Sequence, residues 1–582
     1  MKKGFTLIEL LSVIVILAII ALIATPIILG IIKDSKELAA KSSVENYLKA
    51  VELSISNKYV KDPTIDLNGT YQIKDKGKKI ESIDIENSKE ITIEYEGNGL
   101  TEGYIVLEKG EVIELKKCRI DDWSVNWKKG EILDPKPYKE EIKVTLVKGE
   151  TFNAAIKNLA NNSTTKDSWS KDTTVTTMEF YSNGLLPKEK EKYLEELGDS
   201  NKVDVSASGD NSIIAYYDNG KVYIISDNLI SLNRESGMMF YAFGSVTNIE
   251  FYGIDTSEAT SMGSMFNSCA NLTGLDLSDF DTSNVTSMVT MFSNDKSLTN
   301  ITFGEKFDTS GVTTMNSMFS NCHSLTSLDL SNFDTSSIKD TGMKTMFAYC
   351  YKLESIKLGK NFKTSKVTSM YQMFQDCNAL TSLDVSNWDV SKVKDMSYMF
   401  YNCKLLTSLD VSKWNTNSVE TMNCMFYGCN ALQTLDVSKW NTSNVKDAGM
   451  NTMFKGCHSL TSLDVSNWDV SKVTSMSGTF IGCRSLTSLD VSNWDVSKVT
   501  SMHQMFNGIQ LTELDLSGWN TSSVTTMQEM FGRTPNLISI KIGCGWKTAE
   551  NTTEMFSSSK YTLDKLNALV EEIKPTCPVV SE

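Results

Sequence analysis

The side chains most capable of chemistry are sparse in this 582-residue sequence. Its three histidines, His323, His458 and His503, stand far apart and form no metal-spaced pair. There is no GxSxG elbow, no HExxH helix, no P-loop and no GxGxxG on a strand-to-helix turn. No nucleophile, base and orienting group can be assembled, so the sequence argues against an enzyme and calls for no cofactor. Nucleic acid is disfavoured as a partner, because 57 basic against 72 acidic residues give a net charge of −15. One residue does carry unusual chemistry. Glu9 is the only charge between Phe5 and Ile32. A carboxylate set within lipid is costly and needs a partner.

The element that must hold Glu9 is the apolar run itself. As a helix, residues 5–32 reach about 42 Å, enough to cross a bilayer with tilt. Thr25-Pro26 offers no small-residue cleavage site, so the run does not read as a removable secretory leader. Pro26 deletes one helical backbone bond and crowds the preceding turn. Lys2-Lys3-Gly4-Phe5-Thr6-Leu7-Ile8-Glu9-Leu10 resembles the prepilin leader of type IV pilins and pseudopilins. That resemblance, over about the first 57 residues, implies four things. A prepilin peptidase cuts between Gly4 and Phe5. The new Phe5 amine is N-methylated. Glu9 pairs with the N-terminal ammonium of a neighbouring pilin subunit during assembly, and Pro26 is the helix break. Removing residues 1–4 takes away Lys2 and Lys3 and shifts the side-chain charge from −15 to −17.

Leu38, Val44, Leu48, Val51 and Ile55 then recur at helical spacing. The expectation is a pilin helix over 5–57, with 5–32 transmembrane. Alternating segments at 91–95 and 104–113, the second turning at Lys109-Gly110, predict a small antiparallel pilin-like β domain over 58–127. The disulfide that pilin domains often carry has no second cysteine near Cys118 to form it. Asp134-Pro135-Lys136-Pro137 is the densest proline cluster and marks a linker over 128–142. Residues 143–250 read as a mixed strand and helix cap, with a hairpin of 213–217 and 221–225 about Asp218-Asn219-Gly220.

From residue 251 to 559 the chain repeats itself about 12 times, and 560–582 closes it as a C-terminal cap. A phenylalanine recurs every 25 to 28 residues from Phe266 to Phe556. A period of this length means stacked coils that bury their apolar faces only against their neighbours. In the coil starting at Leu460, the residues Leu460, Leu463 and Val465 point inward from a short strand and Trp468 begins the return. Val473, Met476 and Phe480 then suggest one face of a short helix. Strands about 4.8 Å apart would give a stack roughly 50 Å tall. The unit L-x-x-L-D-[VL]-S-x-[WF]-[DN]-[TV]-S-x-V-x-x-M-x-x-M-F-x-x-C resembles the leucine-rich repeats of BspA-like bacterial surface proteins, several of which are adhesins. The fold class is therefore α/β: a long N-terminal pilin helix, a small antiparallel β domain, then a leucine-rich-repeat-like solenoid.

Each column of the repeat has a chemical and a structural reading. The methionines of the M-x-x-M-F segments could form an adaptable surface, but their spacing with Phe favours core. The aromatic column, Phe280 to Trp519, could stack sugars, yet its unbroken recurrence favours an internal spine. Asp276 and its equivalents up to Asp515 invite calcium, while the neighbouring serines favour side-chain-to-backbone turn bonds. Eight cysteines share a column, and seven in a row cannot all pair, which favours buried thiols. Cys544 and Cys577 flank the last coil as a possible disulfide. The reading is of a minor pilin or pilin-like surface protein, held in the membrane by a single pass before assembly and then on the cell surface or an extracellular pilus. Its solenoid is expected to meet a surface, matrix or host ligand. The alternatives are a membrane-anchored BspA-like protein that never polymerises, and a secretion or DNA-uptake pseudopilin.

Overall fold

A helix of alternating apolar and charged residues is stable only if its greasy stripe is covered, and the first described element shows how that is met. The computed structural model describes residues 38–39, 42–58, 69–74, 78–82, 90–93, 100, 102–108, 111–120, 123–128, 131–137 and 142–577. The leader, the transmembrane expectation over 5–32, and the candidate residues Gly4, Phe5, Glu9 and Pro26 lie outside them. Among the described residues no helix is long and apolar enough to cross a membrane. The chain divides into two compact units: Met1–Lys143 with Tyr181–Gly198 and Ile225–Leu229, and Val144–Phe180 with Asp199–Ile224 and Ile230–Glu582.

In the first unit, α1 (residues 42–58) buries Val44, Tyr47, Leu48, Val51 and Ile55. They share one apolar cluster with Tyr71, Ile73, Ile105, Leu107, Val112 and Leu115. Leu38, expected on the same stripe, is 70% exposed. Seven antiparallel strands follow: β1 (Gly69–Lys74), β2 (Lys79–Ser82), β3 (Glu90–Thr92), β4 (Glu102–Glu108), β5 (Glu111–Ile120), β6 (Trp123–Lys128) and β7 (Glu131–Pro137). They order as β3-β2-β1-β4-β5-β6-β7. β4 and β5 form the expected hairpin, closing at Glu108 opposite Glu111. The stretch expected as a linker over 128–142 instead contains β7, paired antiparallel to β6. Pro135 and Pro137 are tolerated because β7 is an edge strand, whose outer side needs no donors.

The second unit begins with a helix, Gly149–Ala160, and a five-stranded sheet whose order is Lys202–Asp204, Ile214–Asp218, Lys221–Ile225, Thr177–Tyr181, Asn248–Tyr252. The hairpin turn at Asn219-Gly220 takes φ of 45° and 88°, the left-handed pair that a tight two-residue loop requires. One hydrophobic core runs without interruption from Leu146 through the coils to Leu566. It is built as a ladder: Phe240, Phe266, Phe292, Phe319, Phe347 and their successors to Phe556 stack ring on ring, with centroids 5.1 to 5.8 Å apart. The ladder starts one coil before the expected boundary at 251, because Met239-Phe240 already follows the pattern.

The M-x-x-M-F segment is not the short helix that its spacing suggests. In every coil the residues two before and two after the ladder Phe are left-handed: Ser264 and Ser268 about Phe266 (φ 56° and 67°), Gln372 and Asp376 about Phe374 (57° and 59°), Gly478 and Gly482 about Phe480 (66° and 70°). Successive turns close within the coil, as from Met265 N–H to Met262 O and from Cys269 N–H to Phe266 O. Each left-handed residue redirects the N–H groups, so the Phe N–H donates to the next coil instead. Phe266 bonds Met291 O, Phe292 bonds Met318 O and Phe506 bonds Met530 O, each at 2.9 Å. Three-residue turns repeat apolar positions at the same interval as a helix, which is why the pattern alone reads as one. The second left-handed position often goes to glycine, as at Gly428, where φ is 73° and a Cβ would come within 2.3 Å of Asn402 Oδ1.

Strand pairing is also more selective than expected. Among the described residues, parallel pairs form between Gly274–Leu277 and Asn300–Phe303, between Ser327–Leu330 and Ser355–Leu358, and between Glu513–Leu516 and Ser539–Ile542. Through the tryptophan coils another bond takes over. The indole N–H of Trp414, Trp440, Trp468, Trp494 and Trp519 donates to the carbonyls of Val385, Val411, Val437, Val465 and Val491 in the coil before, at 2.8 to 3.3 Å. The rings of Trp414, Trp440, Trp468 and Trp494 stack 6.1 to 6.3 Å apart. Trp546 follows a paired step, and its buried Nε1 has no partner. At the C-terminus, Thr562 caps the helix Leu563–Ile573 by accepting from Lys565 N–H, and Cys544 is disulfide-bonded to Cys577.

Candidate functional site

The aromatic and methionine columns singled out in the sequence are interior. Phe280, Phe307, Phe333, Phe362 and the tryptophans from Trp388 to Trp519 are all buried, so none presents a ring face to a sugar. The methionines flanking the ladder Phe are buried too, for example Met396, Met399, Met422 and Met425.

The aspartates lie on the outside, and their near oxygens are already engaged. In each coil Oδ1 accepts from the backbone N–H of the serine two residues on, and in nearly all of them from its hydroxyl too. For Asp436 and Ser438 these bonds are 3.1 and 2.7 Å, and the same pair recurs at Asp384, Asp410, Asp464, Asp490 and Asp515. The serine bonds hold the carboxyls of Asp384, Asp410, Asp436 and Asp515 below the usual range. Between these columns runs an open groove of about 540 Å³, lined by Leu435, Asp436, Leu463, Asp464, Leu489 and Asp490 among others. Among the described residues no group of histidine, cysteine and acidic side chains is placed to hold a metal.

The cysteine column is buried and free. Each thiol donates to the carbonyl of the ladder Phe one coil back: Cys322 to Phe292 at 3.1 Å, Cys350 to Phe319 at 3.1 Å, Cys377 to Phe347 at 3.2 Å and Cys483 to Phe454 at 3.3 Å. Burial pushes these thiols up, to about 12 for Cys350, Cys429 and Cys483, so they stay protonated and donating. Sequence reading recognised buried thiols but not their role, because a carbonyl oriented by a left-handed turn leaves no mark in a one-dimensional pattern.

Two buried ionisable groups stand out, Lys157 before the repeat and Asp295 within its cysteine column. Lys157 is fully buried on the helix Gly149–Ala160, where its ammonium donates to Ser168 O and Tyr241 O at 2.9 Å each and sits 5.0 Å from the Phe243 ring centre. Burial brings it down to about 8, with the Asp172 carboxylate opposing that shift. Asp295 occupies a cysteine position and is fully buried. Its Oδ1 accepts from Cys269 N–H at 2.8 Å, while Oδ2 has no partner. Desolvation raises its carboxyl well above the ordinary range.

Coils of 25 to 28 residues, stacked in parallel with leucines turned inward, define a leucine-rich-repeat solenoid. More specifically, the chain belongs to the family described as "Mycoplasma protein of unknown function, DUF285", whose model matches residues 237–356, 341–462 and 448–568. Residues 1–25 match the prokaryotic N-terminal methylation motif, the prepilin type of leader. Solved structures similar to this chain include a leucine-rich repeat protein from Eubacterium ventriosum, with 19% identity and a TM-score of 0.30 over 62% of this chain and 95% of that one. Another is an internalin from Listeria monocytogenes, with 14% identity and a TM-score of 0.20 over 58% of this chain and 79% of that one. No curated protein matches significantly.

Proposed function

We propose that this chain is a minor pilin or pilin-like subunit that displays a repeat solenoid for adhesion or surface binding. The carrying observation is the combination within one polypeptide: a methylation-type leader at residues 1–25 and a BspA-like solenoid at 237–568. On this reading the leader is cut after Gly4, Phe5 is methylated, and the membrane holds the helix until a neighbouring subunit's ammonium meets Glu9. That meeting compensates a charge which lipid disfavours. The α1 helix packed over an antiparallel sheet supports the reading, since it supplies the helix-on-sheet body that a pilin head requires. A solenoid of this size on every protomer would crowd a closely staggered fibre, which favours a minor subunit. Retaining Glu9 suits a subunit that joins behind another.

The test is Glu9→Ala in cells, with filaments sheared, purified and probed for the chain by mass spectrometry and labelled antibody. Incorporation is expected to fall at least tenfold while the processed protein still reaches the membrane. Unchanged incorporation, or a mature protein still carrying residues 1–4, would instead favour a surface protein that does not polymerise.

A further inference from the structure

Between Phe266 and Phe556 the chain has six tyrosines, at 349, 351, 371, 398, 401 and 427, all in four consecutive coils. Four of them form a continuous half-buried run across the turns on the outside of the phenylalanine ladder. Tyr371 lies 5.9 Å from Tyr398, Tyr398 lies 5.6 Å from Tyr401, and Tyr401 stacks 4.5 Å from Tyr427. A structural stack in this fold looks different: the phenylalanine ladder places one ring in every coil. The tyrosine run starts and stops.

Two further observations set the place apart. Tyr349 and Tyr398 occupy left-handed positions, with φ of 63° and 59°, where no other coil carries an aromatic residue. A bulky ring is rarely held in that conformation, and where it is, the surroundings must enforce it. Beside them Gln375 is only 8% exposed. Its Nε2 donates to the Tyr349 hydroxyl at 3.0 Å and to Asp376 Oδ2 at 3.1 Å, while its Oε1 is buried with no donor. Asp376 Oδ1 accepts from Asn402 at 2.8 Å, so amide, carboxylate and phenol form one fixed polar network beside the rings. An acceptor left open in such a network is the kind of group a bound hydroxyl satisfies.

We propose that this run is a carbohydrate-binding site for a pyranose oligosaccharide. A sugar ring offers C–H faces to aromatic side chains and hydroxyls that both donate and accept, which is the complement of tyrosines set beside a glutamine, an asparagine and an aspartate. A basic peptide fits less well. The protein's own Lys344 and Lys455 lie 5.3 and 5.1 Å from the Tyr371 and Tyr427 ring centres, so the cation sites at both ends are taken. The inference deepens the display reading by naming a ligand class, and rests on it only in that the ligand is met outside the cell.

The test uses the full chain in a detergent without a sugar headgroup. It is screened against an array of glucose-, galactose- and N-acetylglucosamine-based oligosaccharides, and the strongest hit is titrated by calorimetry. Tyr401→Ala and Gln375→Ala are expected to weaken binding at least tenfold. Tyr349→Asn places a residue that tolerates the left-handed conformation, so it should weaken binding while the thermal midpoint holds or rises. A silent array overturns the proposal, as does binding that survives both Tyr401→Ala and Tyr349→Asn, or tyrosine-dependent capture by immobilised matrix protein in place of sugar. Glu9→Ala should leave sugar binding unchanged and Tyr401→Ala should leave filament incorporation unchanged, so failure of either reading is seen separately.

Discussion

Replacing Asp295 by cysteine should stabilise the solenoid, and by an amount that depends on pH. Asp295 stands where eight other coils carry cysteine, and its carboxyl is fully buried with one oxygen unpartnered. Desolvation raises its folded pKa well above the ordinary carboxylate value. A raised pKa means that the folded state holds the proton more tightly than the unfolded chain does. The stability this confers is complete below the unfolded value of about 3.9 and is lost as pH rises toward the folded value. Within that window wild-type stability therefore falls by about 1.4 kcal/mol per pH unit relative to a variant with no titrating group at 295. Asp295→Cys removes that slope. It also replaces an unpartnered acceptor, a burden of about 1–3 kcal/mol, with a thiol placed to donate to Phe266 O as Cys322 does to Phe292. Cys269 N–H keeps a partner in Phe266 O. The assay is urea denaturation of both proteins under reducing conditions, compared at pH 5.0, 5.5 and 6.0, where the thiol stays neutral. The variant's advantage should grow with pH. Parallel stability curves, or a variant less stable than wild type throughout, would refute the reasoning.

Two other outcomes follow from the same structure. Trp440→Phe removes the indole bond to Val411 O and should cost about 1–3 kcal/mol in denaturant unfolding, whereas Trp546→Phe, whose Nε1 has no partner, should cost clearly less. Equal costs would show that ring volume alone matters. Reducing the Cys544–Cys577 bond, or replacing both cysteines by serine, opens a loop of sequence separation 33 and should destabilise the C-terminal end by about 3–4 kcal/mol. Hydrogen exchange should report faster opening of the helix Leu563–Ile573 with the central coils unaffected, as expected where coils contact only their neighbours.

Much of this architecture is legible in the sequence because its signals are local and repeated. A phenylalanine every 25 to 28 residues, with leucines and methionines at constant offsets, fixes a stacked solenoid and an inward core, since no single coil can cover its own apolar face. Val44, Leu48, Val51 and Ile55 likewise determine a helix that must be covered. Backbone handedness and competition for carbonyls were decided only in three dimensions. Turns of three residues and helical turns repeat apolar side chains at the same interval, so only tertiary geometry shows left-handed residues flanking each ladder Phe and sending its N–H to the next coil. Which donor reaches a given strand carbonyl is likewise decided by the stacking, as where the Trp468 indole reaches Val437 O in the coil before. The tyrosines at 371, 398, 401 and 427 come from three successive coils and occupy three different repeat positions. They meet because the coils stack about 5 to 6 Å apart, a distance that sequence separation does not encode.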